Sequence, residues 1–504
     1  MRDIAELEGL LAARMPVVAV ESHEEAKVMQ MFERFAALNG RKLWKWSITS
    51  GLRRVGGTES AFNTTRIEDA LRHIEKSLEN AIYLFLDAHR FLGEPLVLRQ
   101  IRDIAASERT QRMLAFCSPR LEVPEEIERI TARFRPALPG PAEITALLNE
   151  EARSYREATG ERVRANREAL GVLTQHLGGV TEEDVRRLAR LAIRDDGAIS
   201  AADIARVLKA KHELLAASEI LVLETSVPDF GQLGGLASLK RWLEVRREAF
   251  LGHGHESPLP APKGMLLLGV QGAGKSLAAK CVAGAWQLPL FRVDFGALYN
   301  KFHGESERNI REALAVANAM APCVLWMDEI EKGVAADSGG DADGGVSRRV
   351  LGTLLTWMSE RTARVFLVAT ANDISQLPPE LLRKGRFDEV FFVDLPGSAA
   401  REDILRIHLR RNKQDPAAFD LARLAGACEG FSGAEIEHAI LAALYDTRAR
   451  KASLDTEAIE KALFEEVEKV AAKGPTATEL RKAKNQIQAG MPFAGRSVPV
   501  FIIR

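Results

Sequence analysis

Gly269-Val-Gln-Gly-Ala-Gly-Lys-Ser276 follows the apolar run Met265-Leu-Leu-Leu268 and leads into Leu277-Ala-Ala-Lys280, a helix former. It fits G-x-x-x-x-G-K-[ST] in the strand, loop and helix setting that the pattern requires. Glycines let backbone N–H groups wrap phosphate, and the N-terminus of the next helix adds its positive dipole end. Lys275 would neutralise β/γ oxygens, and the Ser276 hydroxyl would ligate Mg²⁺. Gly269, Gln271, Gly272, Ala273, Gly274 and Leu277 complete the expected cradle. A strand that feeds such a loop belongs to a parallel, helix-covered sheet.

Downstream, Cys323-Val-Leu-Trp-Met-Asp-Glu329 is a second apolar strand, ending on two acids. Asp328 would hold Mg²⁺ and its water shell, and Glu329 would orient and deprotonate an attacking water. Acids at a strand end are ordinarily just solvated; downstream of a phosphate loop they read as a hydrolytic pair.

The bulk numbers set bounds around this pair. A length of 504 residues suggests two to four domains. Lys plus Arg (69) nearly cancel Asp plus Glu (70), so the overall balance does not announce a nucleic-acid or membrane-surface binder. The four cysteines, Cys117, Cys281, Cys323 and Cys428, make no C-x-x-C pair, which argues against a zinc site or disulfide framework and fits a reducing cytoplasm. Met1-Arg-Asp-Ile-Ala-Glu-Leu-Glu8 lacks the features of a signal peptide, and no apolar run is long enough for a membrane span.

The pattern divides the chain into an α/β section over 1–140, a helical section over 141–224, a second α/β section over 225–396, a second helical section over 397–473 and a tail over 474–504. Pro and Gly in Thr225-Ser-Val-Pro-Asp-Phe-Gly-Gln-Leu-Gly-Gly235 mark the central junction. The apolar Val498-Pro-Val-Phe-Ile-Ile503 could cap its own sheet or pair with a neighbouring subunit.

Several ordered motifs in the later part resemble those of the AAA family of ring-forming ATPases. Val368-Ala-Thr-Ala-Asn-Asp373 looks like the family's sensor strand, which implies that Asn372 reaches the γ-phosphate and the attacking water. Leu381-Leu-Arg-Lys-Gly-Arg-Phe-Asp388 is similar to the second region of homology, which implies that Arg383 and Arg386 act as arginine fingers on a neighbour's ATP, and hence a homo-oligomeric ring, a hexamer. Phe230-Gly-Gln-Leu-Gly-Gly-Leu236 resembles the entry to the ATPase domain, with Leu233 and Gly234 at adenine. Gly430-Phe-Ser-Gly-Ala-Glu-Ile436 resembles the lid motif, with Gly433 and Ala434 beside the base. Ser432 and Glu435 also form a capping box that starts a helix.

Tyr299-Asn-Lys-Phe-His-Gly-Glu-Ser-Glu307 looks like a first pore loop, with Phe302 in the position that grips polypeptide; a Phe at the start of a helix is also a common core residue. Asp337-Ser-Gly-Gly-Asp-Ala-Asp-Gly-Gly345 falls where a second pore loop would lie, and it lacks the downstream Glu of a calcium loop. Within the family, the chain is most similar to the uncharacterised-reading-frame AAA ATPases of cyanobacteria, plastids and other bacteria.

The first half reads as a worn copy of the second. Phe134-Arg-Pro-Ala-Leu-Pro-Gly140 echoes Phe391-Phe-Val-Asp-Leu-Pro-Gly397, and Gly179-Val-Thr-Glu-Glu-Asp-Val185 sits where the lid motif sits later. At the phosphate-loop position the chain reads Glu21-Ser-His-Glu-Glu-Ala-Lys27, with carboxylates where phosphate would bind. In Ala81-Ile-Tyr-Leu-Phe-Leu-Asp-Ala-His89, Asp87 stands in place of Asp328 and Ala88 in place of Glu329. Ser118 stands in place of Asn372. The expected fold is therefore a P-loop α/β ATPase with a three-layer parallel sheet and a helical lid, preceded by a degenerate AAA-like module with helices of its own. The alternative is an unrelated α/β domain whose parallels are chance.

The expected activity is Mg²⁺-dependent ATP hydrolysis used to pull on or remodel a protein client. An ATP-controlled scaffold that threads nothing, and a nucleic-acid motor, are the competing readings. The second is disfavoured by the neutral charge and the lack of an aromatic-basic groove.

Overall fold

The computed structural model describes residues 2–107, 111–165, 167–194, 197–215, 220–252, 259–299, 306–334, 344–471 and 500–503. The chain forms two compact units, Met1–Glu151 with Val180–Arg187, and Ala152–Gly179 with Leu188–Arg504.

The first unit is built on a six-stranded sheet of β1 (Val17–Glu21), β2 (Lys42–Ser47), β3 (Gly51–Arg54), β4 (Ala81–Leu86), β5 (Met113–Ser118) and β6 (Thr131–Phe134), in the order β3-β2-β4-β5-β1-β6. All pairings are parallel except that of the edge strand β3 with β2. Strand β4 is buried on both faces: Ile82, Leu84 and Leu86 face one apolar cluster, and Tyr83 and Phe85 face the other. Continuous apolar strands are what a sheet covered by helices on both sides requires.

Beyond β6 come the helices Pro141–Thr159, Arg167–His176, Glu182–Ile193 and Ala201–Leu215, with the two-residue strands β7 (Arg164–Ala165) and β8 (Ala198–Ile199) paired between them. Thr181 Oγ1 accepts the Asp184 N–H at 3.2 Å at the start of the third helix, as its Thr-x-x-acid pattern predicts.

The second unit carries a seven-stranded sheet of β9 (Leu221–Glu224), β10 (Gly264–Gly269), β11 (Leu290–Val293), β12 (Cys323–Met327), β13 (Val365–Ala371), β14 (Glu389–Val393) and β15 (Val500–Ile503). Its order is β15-β14-β10-β13-β12-β11-β9, parallel throughout except at β9. Alternate residues serve two cores. Leu266, Leu268, Leu325, Met327, Leu367 and Ala369 line one, and Met265, Leu267, Val324, Trp326, Phe366 and Val368 line the other. The helices Ser398–Arg411, Leu421–Ala427, Gly433–Ala449 and Thr456–Ala471 follow.

Two sequence boundaries shift. The junction expected after residue 224 cuts off β9, which pairs antiparallel with β11 and so belongs to the second sheet. The tail strand β15 pairs with β14, so it extends the sheet of its own chain.

The two sheets share one connectivity: β6-β1-β5-β4-β2 in the first has the same sequential pattern as β14-β10-β13-β12-β11 in the second. Their registers correct the residue-by-residue parallels. When the Leu-Pro-Gly corners at 138–140 and 395–397 are matched, Phe134 falls on Phe391, and their partners Val20 and Leu267 fall together. Those two pair in turn with Cys117 and Thr370. Cys117 faces Leu86, whereas the ladder that pairs Met327 with Ala369 brings Asp328 next to Thr370. Leu86, and not Asp87, therefore holds the place of Asp328. Asp87 holds that of Glu329 and Pro119 that of Asn372, so Ser118 is not the sensor counterpart. The backbone agrees: Asp87 (φ 54°) and Glu329 (φ 47°) are both left-handed residues just past their strands, Asp87 one residue beyond β4 and Glu329 two beyond β12, with Leu86 as the last residue of β4 where Asp328 already follows β12. A buried leucine cannot ligate a cation, and the match of acid to acid by sequence is one residue out.

The phosphate loop is missing from the first unit in backbone as well as in side chains. Three residues separate β1 from the helix Glu25–Leu38, whereas five separate β10 from the helix Lys275–Trp286. Carboxylates occupy the turn: Glu24 Oε1 accepts the Glu183 N–H at 3.0 Å, and Glu21 pairs with Arg133 and Arg135.

Candidate functional site: a phosphate loop, two acids and a lid

Strands β10, β13 and β12 are neighbours, so their carboxyl ends deliver the phosphate loop, Asn372 and the acid pair to one crevice, where open α/β sheets bind ligands. The loop is shaped by glycine. Gly272 and Gly274 adopt φ of 78° and 92°, which residues with a Cβ rarely reach. Gly269 is needed for packing, since a Cβ there would lie 2.0 Å from the Val393 carbonyl oxygen, and it does not line the crevice.

Leu233, Gly234, Gln271, Gly272, Ala273, Gly274, Lys275, Ser276, Leu277, Asp328, Glu329, Asn372, Gly433 and Ala434 together line a cleft of about 470 Å³. The lid motif touches the loop directly: the Ala434 N–H donates to the Gly272 carbonyl at 3.4 Å. Ser432 and Glu435 form the full capping box that starts the helix Gly433–Ala449.

Lys275 Nζ donates to the carbonyls of Gly269 (2.9 Å) and Val270 (2.8 Å) and to Asn372 Oδ1 (2.8 Å). Burial pushes its ammonium down to about 8, against the pull of Glu331, Asp328 and Glu329. Ser276 Oγ and Thr370 Oγ1 both donate to Asp328 Oδ1, at 3.0 Å and 2.6 Å. Thr370 Oγ1 also accepts the Glu329 N–H at 2.9 Å. Asn372 Nδ2 donates to Glu329 Oε1 at 3.0 Å, and the Lys332 ammonium pairs with the other carboxylate oxygen. The Lys332 hydrogen bond, helped by that of Asn372, holds the Glu329 carboxyl below its usual range despite partial desolvation.

A hydroxyl and a carboxylate oxygen converging at the phosphate loop are the hard donors that Mg²⁺ takes from protein when phosphates and waters complete its shell. Among the described residues no cluster of three His, Cys, Asp or Glu side chains could hold a metal without such help. The donor set therefore fits Mg²⁺ bound together with a nucleotide.

At the other end of the cleft, a Cβ on Gly234 would come within 2.6 Å of Ile404 Cγ1. Ile404, Ile407, His408 and Arg411 on the helix Ser398–Arg411, with Glu437, complete the wall. Burial lowers the pKa of His408 against the nearby Glu437 carboxylate, 3.5 Å from Nδ1. These wall residues, with Thr370 and Glu331, are absent from the motif-based expectation. The spacing of Ile404, Ile407, His408 and Arg411, i, i+3, i+4 and i+7 along one face of a helix, was the available signal.

Arg383 and Arg386 do not line the cleft of their own chain. Arg383 is exposed after a 3₁₀ turn, and Arg386 donates to the Glu380 carbonyl. Phe302 and most of the Asp337–Gly345 loop lie outside the described residues.

Residues 265–395 match the family model described as ATPase family associated with various cellular activities (AAA). Residues 3–135 match the N-terminal domain of SpoVK-like AAA ATPases, and residues 142–218 match their second domain. The AAA domain-containing protein ycf46 of Trieres chinensis is 34% identical over 460 residues, covering 90% of this chain and 91% of its own. That of Guillardia theta is 34% identical over 450 residues, 88% and 87% of the two chains. The proteasome-activating nucleotidase of Aeropyrum pernix is 37% identical over 204 residues, 39% of this chain and 48% of its own.

Proposed function

The chain belongs to the AAA family of ATPases, and from that premise we propose that its ATP hydrolysis is Mg²⁺-dependent and drives a homo-hexameric ring that pulls on or remodels a protein client in the cytoplasm. The observation that carries the hydrolytic part is the relay Lys275–Asn372–Glu329, with Asp328 held between Ser276 and Thr370. In this reading Lys275 meets the β/γ-phosphates. Ser276 and Asp328 hold Mg²⁺, which would supply charge neutralisation on the phosphate oxygens. Glu329 takes the proton of the attacking water, and Asn372 keeps that carboxylate and the lysine in register.

Leu233, Gly234, Gly433 and Ala434 enclose the base. Arg383 and Arg386, outside their own chain's cleft, serve the ATP of a neighbouring subunit, which makes assembly part of the active site. Phe302 grips the client. The cytoplasmic assignment is supported by four free, buried thiols. No helix among the described residues is long and apolar enough to cross a membrane.

A Glu329→Gln variant tests the core of the proposal. It should bind ATP with Mg²⁺ and run in light scattering as a six-subunit particle, while turnover falls by about 10²–10⁴, the usual size of a general-base contribution. Undiminished turnover would remove Glu329 from its role, and a monomeric mass with ATP bound would remove the ring.

A further inference from the structure

Glu331 is an acid that the hydrolytic relay does not use. It lies on the short helix Ile330–Val334, just past the left-handed Glu329, with only 4% of its surface exposed. Its Oε1 accepts the backbone N–H of Asn372 at 2.8 Å. Its Oε2 is buried without a hydrogen-bond partner among the described residues. Burying a carboxylate with one oxygen unpaired is costly, so the position is a demanding one for a purely structural glutamate.

The bond it makes is well chosen. Asn372 is the first residue beyond β13, so its N–H lies past the last paired position of the ladder. A buried backbone N–H needs an acceptor, and a carboxylate is a stronger one than a neutral oxygen. Asn372 is also the joint of the site, accepting from Lys275 through Oδ1 and donating to Glu329 through Nδ2. Its amide can serve both partners only while its main chain is held in place.

We infer that Glu331 is a positioning residue for ATP hydrolysis: its carboxylate anchors the main chain of Asn372 and so aims the Asn372 amide between the phosphate-binding lysine and the catalytic glutamate. This rests on the proposed roles of Asn372 and Glu329. Glu331 does not line the cleft; it acts through Asn372.

The test compares Glu331→Leu, Glu331→Gln, Asn372→Ala and the Glu331→Leu/Asn372→Ala double variant in the full chain, measuring kcat and the Kd of a fluorescent ATP analogue. Glu331→Leu removes the acceptor, and kcat should fall by about 10²-fold, as small misplacements of catalytic groups do. Measured at about pH 6.5, so that Lys275 stays charged even without the pull of Glu331, the Kd should stay within about threefold, because the loop that binds phosphate is untouched. Glu331→Gln keeps an acceptor oxygen in the same place and should retain most of kcat.

The double variant should turn over no more slowly than Asn372→Ala alone, since groups acting as a unit are not additive. Losses that multiply in the double variant, Kd and kcat collapsing together, or Glu331→Gln losing as much as Glu331→Leu would each overturn the inference. Full turnover by Asn372→Ala would instead identify the relay as the failed premise, and the role of Glu331 would fall with it. Should the leucine variant not fold, the near-isosteric glutamine variant still decides: kcat close to the parent supports anchoring, and a large loss at unchanged Kd refutes it.

Discussion

Lys275 carries its charge from a place where burial works against it. With its ammonium pushed down to about 8 from the usual 10.5, the nucleotide-free chain loses the proton within an accessible range. The charged form is the one that meets phosphate, so ATP must recruit a proton whenever the pH exceeds about 8. The Kd for ATP should thus be flat below that pH and rise by up to about tenfold per unit above it. Fluorescent-nucleotide titrations between about pH 7 and 9.5 would measure this; a flat Kd across the range would mean that the site holds the lysine charged throughout. Lys275, Ser276, Asp328 and Glu329 were legible in the sequence because their chemistry is written in contiguous strand-loop-helix patterns, whereas Asn372 was named only through the family resemblance, an Asn after a strand being by itself an ordinary turn residue. Thr370 was not, since a threonine inside Val365–Ala371 reads as an ordinary strand former until the ladder brings it beside Asp328. Glu331 was hidden for a related reason: its partner is a main-chain N–H forty-one residues away, and sequence patterns report side chains.

At the scale of elements, the apolar strands announced both sheets, but only pairing could set their register. One residue of ladder separates the expected match of Asp87 with Asp328 from the actual arrangement, in which Leu86 fills that place. Periodicity also gave no sign of how helices are pinned. Lys211, on the helix Ala201–Leu215, is fully buried, and its Nζ donates to the carbonyls of His176 (2.7 Å), Gly178 (2.5 Å) and Ala319 (2.6 Å). Those carbonyls end, or lie just beyond, the helices Arg167–His176 and Ser306–Ala319, where a cation complements the dipole. In sequence Lys211 reads as one more charge in Lys209-Ala-Lys-His-Glu213, normally a solvated face. Lys211→Met should leave three buried acceptors unpaired and weaken local stability by about 2–4 kcal/mol. Faster amide exchange in 167–179 and 306–319 would register that loss; unchanged protection there would show that the lysine is a passenger.

For the whole molecule, one connectivity is used twice and equipped once: the first sheet keeps the strand order of the second without its loop, metal-facing acid or sensor. Hydrolysis therefore depends on the second unit, and Arg383 and Arg386 lie outside its cleft; in the proposed ring they would supply positive charge to a neighbour's site. A guanidinium delivered in trans is worth about 10³–10⁵ in rate in other phosphoryl-transfer systems, so its removal should be nearly as damaging as loss of the phosphate loop. The two losses differ in one respect. A Lys275→Ala subunit has no working site but can lend its arginines, whereas an Arg386→Ala subunit has a complete site and lacks a finger to lend. Each variant alone should be inactive. Mixed in equal amounts and allowed to exchange subunits, half of the subunits carry a working site and half of those adjoin a competent finger, so activity should recover to about one quarter of the parent level. Recovery of that size by an ATPase assay on the mixture would establish shared sites between subunits. A mixture as inactive as its components, in material that light scattering shows to be assembled and exchanging, would place the arginines in a role within their own chain.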